Sequence, residues 1–386
     1  MKITVAIDSF KGSLSSLRAG EAVKEAALEL NKENEVFVRP VADGGEGTVE
    51  ALSIGMGGTL VTARVMGPLF DPVNATYAIL PDGKTAVIEM AAASGITLIP
   101  REKLNPLLTT TYGVGEMIRD AIERGCRRFI VGIGGSATND GGVGMLTALG
   151  FGFFDEDDVP IAPTGGGLPF LDTISTERVL PALRECSFRV ACDVKNPLCG
   201  ENGCSAVFGP QKGATPETVA LLDKYLARYA RLAATVSDNA DPDYPGAGAA
   251  GGLGYAFRTF LGATLSSGIG IILEETSLED YVKKSDLVIT GEGRLDAQTA
   301  MGKAPAGVAA IAKKHGKPVI AFSGCATREA ELCNECGIDA FFPIPQGACT
   351  LDEAMDEENA FFNLKATAKQ ALRLFSLGKN NLQLQL

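Results

Sequence analysis

Residues 286–296, DLVITGEGRLD, read as an apolar strand, Asp286–Thr290, opening into a glycine-punctuated loop that carries Glu292, Arg294 and Asp296. A second stretch of the same kind lies at residues 2–16, KITVAIDSFKGSLSS: the strand Lys2–Ile7, then a loop with Asp8, Ser9, Lys11 and Ser13. Each is followed by a helical pattern, Leu17–Leu30 in one case and Ala304–His315, with Pro305 in its first turn, in the other. Further strands are expected at Val36–Val41, Pro318–Ser323 and Ala340–Ile344, and a closing helix at Glu357–Leu377. Alternating strands and helices imply a parallel sheet. The two ends of the chain together supply five strands. They predict one doubly wound α/β domain built from about residues 1–60 and 285–377.

The middle of the chain has another pattern. Thr59–Val65, Asn74–Leu80 and Lys84–Met90 are strand-like, and Pro81-Asp82-Gly83 joins the last two as an antiparallel hairpin. Strands at Arg128–Ile133 and Phe188–Asp193 each empty into polar loops, and Thr215–Val236 reads as a long helix. Residues 61–284 are therefore expected to form an inserted mixed α/β domain, and 378–386 a frayed tail.

Length and composition agree with this division. The 386 residues exceed one compact core, and 46% hydrophobic with 21% charged residues is a globular composition. A formal charge of −12 argues against nucleic acid or an anionic membrane as partner. No apolar stretch reaches the ~18 residues of a membrane span, and MKITVAIDSF lacks a secretory pattern. The expected location is cytoplasmic, with the nine cysteines reduced. Cys333 and Cys336 have metal or redox spacing but no second pair, and read as small residues at a helix end.

Glycine is in excess, 46 residues of 386, or about 12% against a usual ~7%. It concentrates in loops, where it allows backbone N–H groups to approach an anion. Ligands of an open parallel sheet sit beyond the carboxyl ends of its strands. That edge collects Asp8, Ser9, Lys11, Ser13, Asp43, Glu46, Glu292, Arg294, Asp296 and Lys303; the inserted domain offers Ser136, Thr138, Asn139 and Asp140, with Asp193, Lys195 and Asn196. Two such edges facing each other would make a cleft.

Carboxylates mixed with Lys and Arg in glycine-rich turns suit phosphoryl transfer, which needs cations and N–H groups on the phosphates, carboxylates for Mg²⁺ and a group for the attacking hydroxyl. The single histidine, His315 in AKKHGKP, reads as a helix C-terminus, so serine-triad and three-histidine metal chemistry are excluded. Gly132-x-Gly134-x-x-Ala137, with Asp155 or Asp157 about twenty residues on, keeps open an NAD-dependent dehydrogenase of a small hydroxy acid. A non-catalytic anion-binding protein is a further alternative. No segment has the Walker spacing, because Ala304 follows Met301-Gly302-Lys303. Bland readings stand beside these: PGAGAAGGLG as a packing surface, Asp43 and Asp193 as caps or turn residues, Lys212 as a solvated loop lysine.

In order along nearly the whole chain, DSFKGSLSS, ADGGEGT, EMAAASG, GIGGSATNDGG, DVKNPL, FGPQKGA, PGAGAAGGLG and GEGRLDAQTAMGKAP resemble the bacterial glycerate kinase family. The resemblance implies ATP- and Mg²⁺-dependent phosphorylation of the organic acid D-glycerate, at the 2-hydroxyl, to 2-phosphoglycerate. It also implies two α/β domains, one of them flavodoxin-like, in agreement with the strand count. Within that frame Asp193 is expected to accept or orient the glycerate hydroxyl. Lys11, Arg294 and Lys303 are expected to neutralise the transferring charge or hold the carboxylate, with Ser9 and Asn196 also on the substrate. Asp43 and Asp296 are the expected Mg²⁺ ligands; Gly134, Gly135, Ser136, Thr138 and Asn139 are expected on the phosphates. Association of the chain with itself is left open.

Overall fold

The computed structural model describes residues 1–42 and 48–383, without the side chains of 50, 54, 55 and 379–383. Two apolar strands open the chain, β1 (Lys2–Ile7) and β2 (Glu35–Val38). A long central stretch then lays down β3 (Thr59–Met66), β4 (Pro72–Ile79), β5 (Thr85–Glu89), β6 (Arg128–Gly132), β7 (Gly152–Phe154), β8 (Thr173–Ser175), β9 (Ser187–Ala191) and β10 (Thr264–Ser266). The last three are β11 (Leu287–Leu295), β12 (Val319–Ala326) and β13 (Ala340–Pro343).

The chain divides into two compact units. The first takes Met1–Asp43, Glu50–Met56 and Ile272–Leu386, and the second Gly44–Val49 and Gly57–Ile271. The first unit contains a five-stranded sheet in the order β13-β12-β11-β1-β2, every pair parallel. Burial explains why β1 is apolar without alternation: five of its six residues are covered, as both faces of a parallel sheet are. The helix Ser16–Leu30 starts at Ser15, whose side chain accepts from the Arg18 N–H. Its alanine-rich face packs with Leu364, Ala368 and Leu372 of the helix Glu357–Gln383 into the core containing Ile3, Ile289 and Phe322. Lys365 and Lys369 add ion pairs of 2.7 Å to Glu25 and Glu29, each worth less than about 1 kcal/mol at a surface.

The C-terminal segment of the first unit begins at Ile272, ahead of residue 285. The helix Leu278–Lys284 stacks Tyr281 against Phe37, ring centroids 5.4 Å apart, and under the Arg39 guanidinium at 3.6 Å. Gly378 and the next residues continue the closing helix to Gln383, so the segment read as a tail begins as helix.

The second unit holds a mixed sheet, β10-β9-β6-β5-β4-β3, antiparallel only at β3–β4 and β4–β5, and a separate two-stranded ribbon of β7 and β8. The β4–β5 turn is built as its composition predicts. Asp82 accepts from Lys84 N–H, Thr85 N–H and the Thr85 hydroxyl, and Gly83 takes φ +63. Its core is aromatic, with Tyr77, Phe129, Tyr229, Tyr255 and Phe257 all buried.

One element differs in kind from the expectation. GEGRLD is strand rather than loop: β11 runs on to Leu295, pairing Glu292 with Ser323 and Arg294 with Cys325. Gly291 is required there because a Cβ would stand 2.2 Å from the Phe322 carbonyl oxygen. The glycine marks close backbone approach within a sheet.

Candidate active site

At the end of β1, Asp8 is 4% exposed; its N–H donates to the Gly291 carbonyl and its Oδ1 accepts the Ser9 N–H at 2.7 Å. A tight turn follows, closed by Phe10 N–H to Leu14 O and Ser13 N–H to Phe10 O, with Gly12 at φ +78. Lys11 stands exposed on that turn.

Glu292 and Arg294 leave β11 on one face, two residues apart. Glu292 is buried and accepts from the Thr299 hydroxyl, while Lys303 Nζ lies 4.0 Å from its other oxygen. Asp296 caps the helix Ala297–Ala300, its Oδ1 accepting the Gln298 and Thr299 N–H groups and the Thr299 hydroxyl accepting in return. The Arg294 guanidinium is 3.5 Å from Asp296 Oδ2, with 63% of its side chain exposed. The carboxylates are thus tied down, while the Arg294 side chain stays mostly exposed and Lys303 is half-buried beside Glu292.

These groups line a cavity of about 600 Å³ in the first unit, shared by Asp8, Lys11, Glu292, Arg294, Asp296 and Lys303. The remaining lining is largely apolar and was not anticipated from the sequence: Ile344 and Pro345 after β13, and Leu351, Ala354 and Met355 from the short helix Leu351–Met355. That helix has a full capping box, Thr350 with Glu353, a signal present in TLDEA.

The second unit uses its polar loop differently. Gly134 and Gly135 are exposed after β6, Gly135 at φ +72. Ser136, Thr138, Asn139 and Asp140 are buried. Asn139 donates to Ser205 Oγ at 2.8 Å and accepts from the Cys204 thiol; Asp140 accepts from Thr111 N–H and hydroxyl and from Gly142 and Gly144 N–H. Burial outweighs these bonds and raises the Asp140 carboxyl pKa. Among the described residues the Thr138 hydroxyl has no hydrogen-bond partner.

Lys212 is not a solvated lysine. It is 2% exposed and donates to Ser136 Oγ at 2.8 Å and Thr138 O at 2.6 Å, and burial lowers its pKa to about 8. PGAGAAGGLG packs on the same loop: Gly141 N–H donates to Gly251 O, and a Cβ on Gly251, at φ +67, would lie 2.1 Å from Thr138 O. Asp193 is exposed beyond β9 with Oδ1 accepting the Gly268 N–H at 3.1 Å, and Asn196 donates to Asn202 O. Asp43 and Glu46 lie outside the described residues.

The remaining sequence features have local explanations. Asp155 accepts the Asp157 and Val159 N–H groups in the turn after β7, which pairs with β8; the neighbours of β6 are β5 and β9. This is not the strand arrangement that a dinucleotide fingerprint needs. His315 caps the helix Ala304–Lys314, with Nε2 2.8 Å from Glu279. The Cys336 thiol donates to the Cys333 carbonyl.

Among the described residues no three His, Cys, Asp or Glu side chains gather as a metal-binding group, and no helix is long and apolar enough to cross a membrane. Mg²⁺ is ordinarily held by one or two carboxylates together with substrate phosphates. Hard oxygen donors beside cations, as Asp8 and Glu292 provide in this cavity, fit that mode better than a closed protein cage.

The model of the glycerate kinase family matches residues 3–376. A glycerate kinase of Haemophilus influenzae is 47% identical over 97% of this chain and 99% of its own length. The glycerate 2-kinase of Escherichia coli K12 is 46% identical over 99% and 100%. A solved glycerate kinase 2 candidate from Salmonella typhimurium LT2 superposes with a TM-score of 0.91 at 46% identity, over 98% of this chain and 99% of that one. With a matching model over nearly its full length and relatives this similar, the chain belongs to the glycerate kinase family, phosphotransferases with an alcohol group as acceptor.

Proposed function

We propose that this protein transfers the γ-phosphoryl group of ATP, as its Mg²⁺ complex, to the 2-hydroxyl of D-glycerate, giving 2-phosphoglycerate and ADP. The observation that carries the reading is the cavity at the carboxyl ends of β1 and β11, where Lys11, Arg294 and Lys303 stand beside carboxylates held by the protein's own hydrogen bonds. Its likeness to the E. coli glycerate 2-kinase favours the 2-isomer. The parallel order β13-β12-β11-β1-β2 supports a flavodoxin-like first domain, with the rest of the chain inserted after β2. The nine free cysteines suit a reducing cytoplasm.

In the transfer, the glycerate O2 forms a bond to the γ-phosphorus as the bond to the β–γ bridging oxygen breaks. ADP leaves with that electron pair, and the hydroxyl proton passes to a base. Arg294 presents a planar fork suited to a carboxylate or phosphoryl group; Lys11 and Lys303 supply point charges. Asp193 is the proposed base, and Ser9 and Asn196 the proposed further substrate contacts. In the loop after β6, Gly134 and Gly135 are exposed and offer the N–H groups a phosphate would meet, whereas Ser136, Thr138 and Asn139 hold the loop in shape. Mg²⁺, when bound, neutralises phosphate oxygens. Asp8 and Glu292 suit it, together with the proposed Asp43 and with Asp296, whose Oδ1 is already spent on capping. The deciding experiment supplies purified protein with D-glycerate and Mg-ATP, follows ADP, and identifies the phosphoglycerate by ³¹P NMR. Absence of ADP formation, with NAD(H)-linked turnover in its place, would overturn the reading.

A further inference from the structure

The cavity of the first unit is too large and too apolar for glycerate alone. At about 600 Å³ it falls within the ~300–1,000 Å³ of pockets that take drug-sized ligands. A three-carbon hydroxy acid fills a small part of that and has almost no apolar surface to offer Ile344, Leu351, Ala354 and Met355. Leu351 is 76% exposed and Met355 38% exposed, an apolar surface that the protein itself leaves uncovered. The same cavity is lined by three cations, Lys11, Arg294 and Lys303, although the chain as a whole has a charge of −12. A ligand matching both walls has a flat ring system with apolar faces joined to a polyphosphate.

One polar group stands apart from that cationic cluster. Asn363, half-buried on the helix Glu357–Gln383, lines the cavity, and its carboxamide has no hydrogen-bond partner among the described residues. A carboxamide offers a donor and an acceptor side by side, the pattern that pairs with the N6 and N7 edge of adenine.

We propose that this cavity is the nucleoside site: the purine ring lies against Ile344, Leu351, Ala354 and Met355, Asn363 reads its edge, and the phosphates reach Lys11 and Arg294. The inference rests on the kinase reading above and adds to it where the nucleotide's base is held and what selects it. The short helix Leu351–Met355 is then a wall of the binding site, and its capping box serves to hold that wall in place.

The test combines binding and kinetics. Ala354→Trp fills the cavity from an accessible helix, and Asn363→Ala removes the reading group; thermal melting verifies that both fold. Equilibrium binding of adenosine and of ATP is measured by calorimetry, and steady-state rates are measured with ATP and GTP. Ala354→Trp is expected to abolish adenosine binding and raise KM for ATP by at least about 10-fold, while KM for D-glycerate stays within about twofold. Asn363→Ala is expected to raise KM for ATP by about 5- to 10-fold, the loss of roughly one net hydrogen bond, and to narrow the preference for ATP over GTP. Unchanged adenosine binding and ATP KM in Ala354→Trp overturn the proposal, as does a rise confined to the KM for D-glycerate. Wild-type protein that binds adenosine yet forms no ADP with glycerate would overturn the kinase reading and leave the nucleoside site standing.

Discussion

Two glycine-rich segments, GEGRLD in the first unit and GIGGSATNDGG in the second, look alike as strings and differ in what they do with their side chains. In the first, Gly291 lets β11 run close against β12, and the Arg294 side chain is mostly exposed. In the second, the polar side chains turn inward onto Lys212, Ser205 and Thr111, and a second glycine-rich segment seals them in. Substituting the charged side chains of the first should mainly change chemistry; substituting the polar side chains of the second should mainly change folding.

The strongest test of that contrast is Asp140→Ala. It leaves four buried donors without their acceptor and is expected to cost about 3–5 kcal/mol, read as lost soluble yield or a collapsed denaturation midpoint. Lys212 offers a pH-dependent version. Its folded pKa of about 8 lies below the ordinary 10.5, so from pH 8 to 10.5 the unfolded chain holds the extra proton. Stability from this group therefore increases with pH across that window, by up to about 3 kcal/mol. Denaturation midpoints compared between wild type and Lys212→Met should show the wild type gaining relative to the variant over that range, and parallel curves would remove the assignment.

On the other side of the comparison, Arg294→Ala is expected to lower kcat/KM about 100-fold with an unchanged melting temperature, because its side chain is mostly exposed. Asp193→Asn should lower kcat by a similar ~100-fold factor, and near-normal turnover would strip it of the proposed role. The smallest contrast is between glycines. Gly251→Ala forces a Cβ against Thr138 O at a positive φ and should cost about 2 kcal/mol or more. Gly293→Ala meets nothing closer than 3.4 Å and should cost less than about 1 kcal/mol by chemical denaturation.

The sheet of the first unit was legible because buried parallel strands are continuous apolar runs, and KITVAI and LVIT stand out as such. The polar residues beyond them were legible for the same reason. The extension of β11 was not, since a glycine required by close strand approach and one required by a turn are the same letter. The burial of Lys212 was invisible because its partners, Ser136 and Thr138, lie 76 and 74 residues away. The apolar cavity wall was missed because Leu351 and Met355 on a short amphipathic helix look like ordinary core residues until the space beside them is seen.

The pairing of β1 with β11 also constrains how the molecule is made. The amide of Lys2 meets the carboxylate of Asp286, 284 positions later in the chain. At a ribosomal pace of about 5–20 residues per second, the opening strand waits roughly 15–60 s for its central neighbour to be synthesised. Throughout that interval one edge of a very apolar ribbon is bare, so the nascent chain is most exposed to mispairing and to chaperone capture before its last hundred residues emerge.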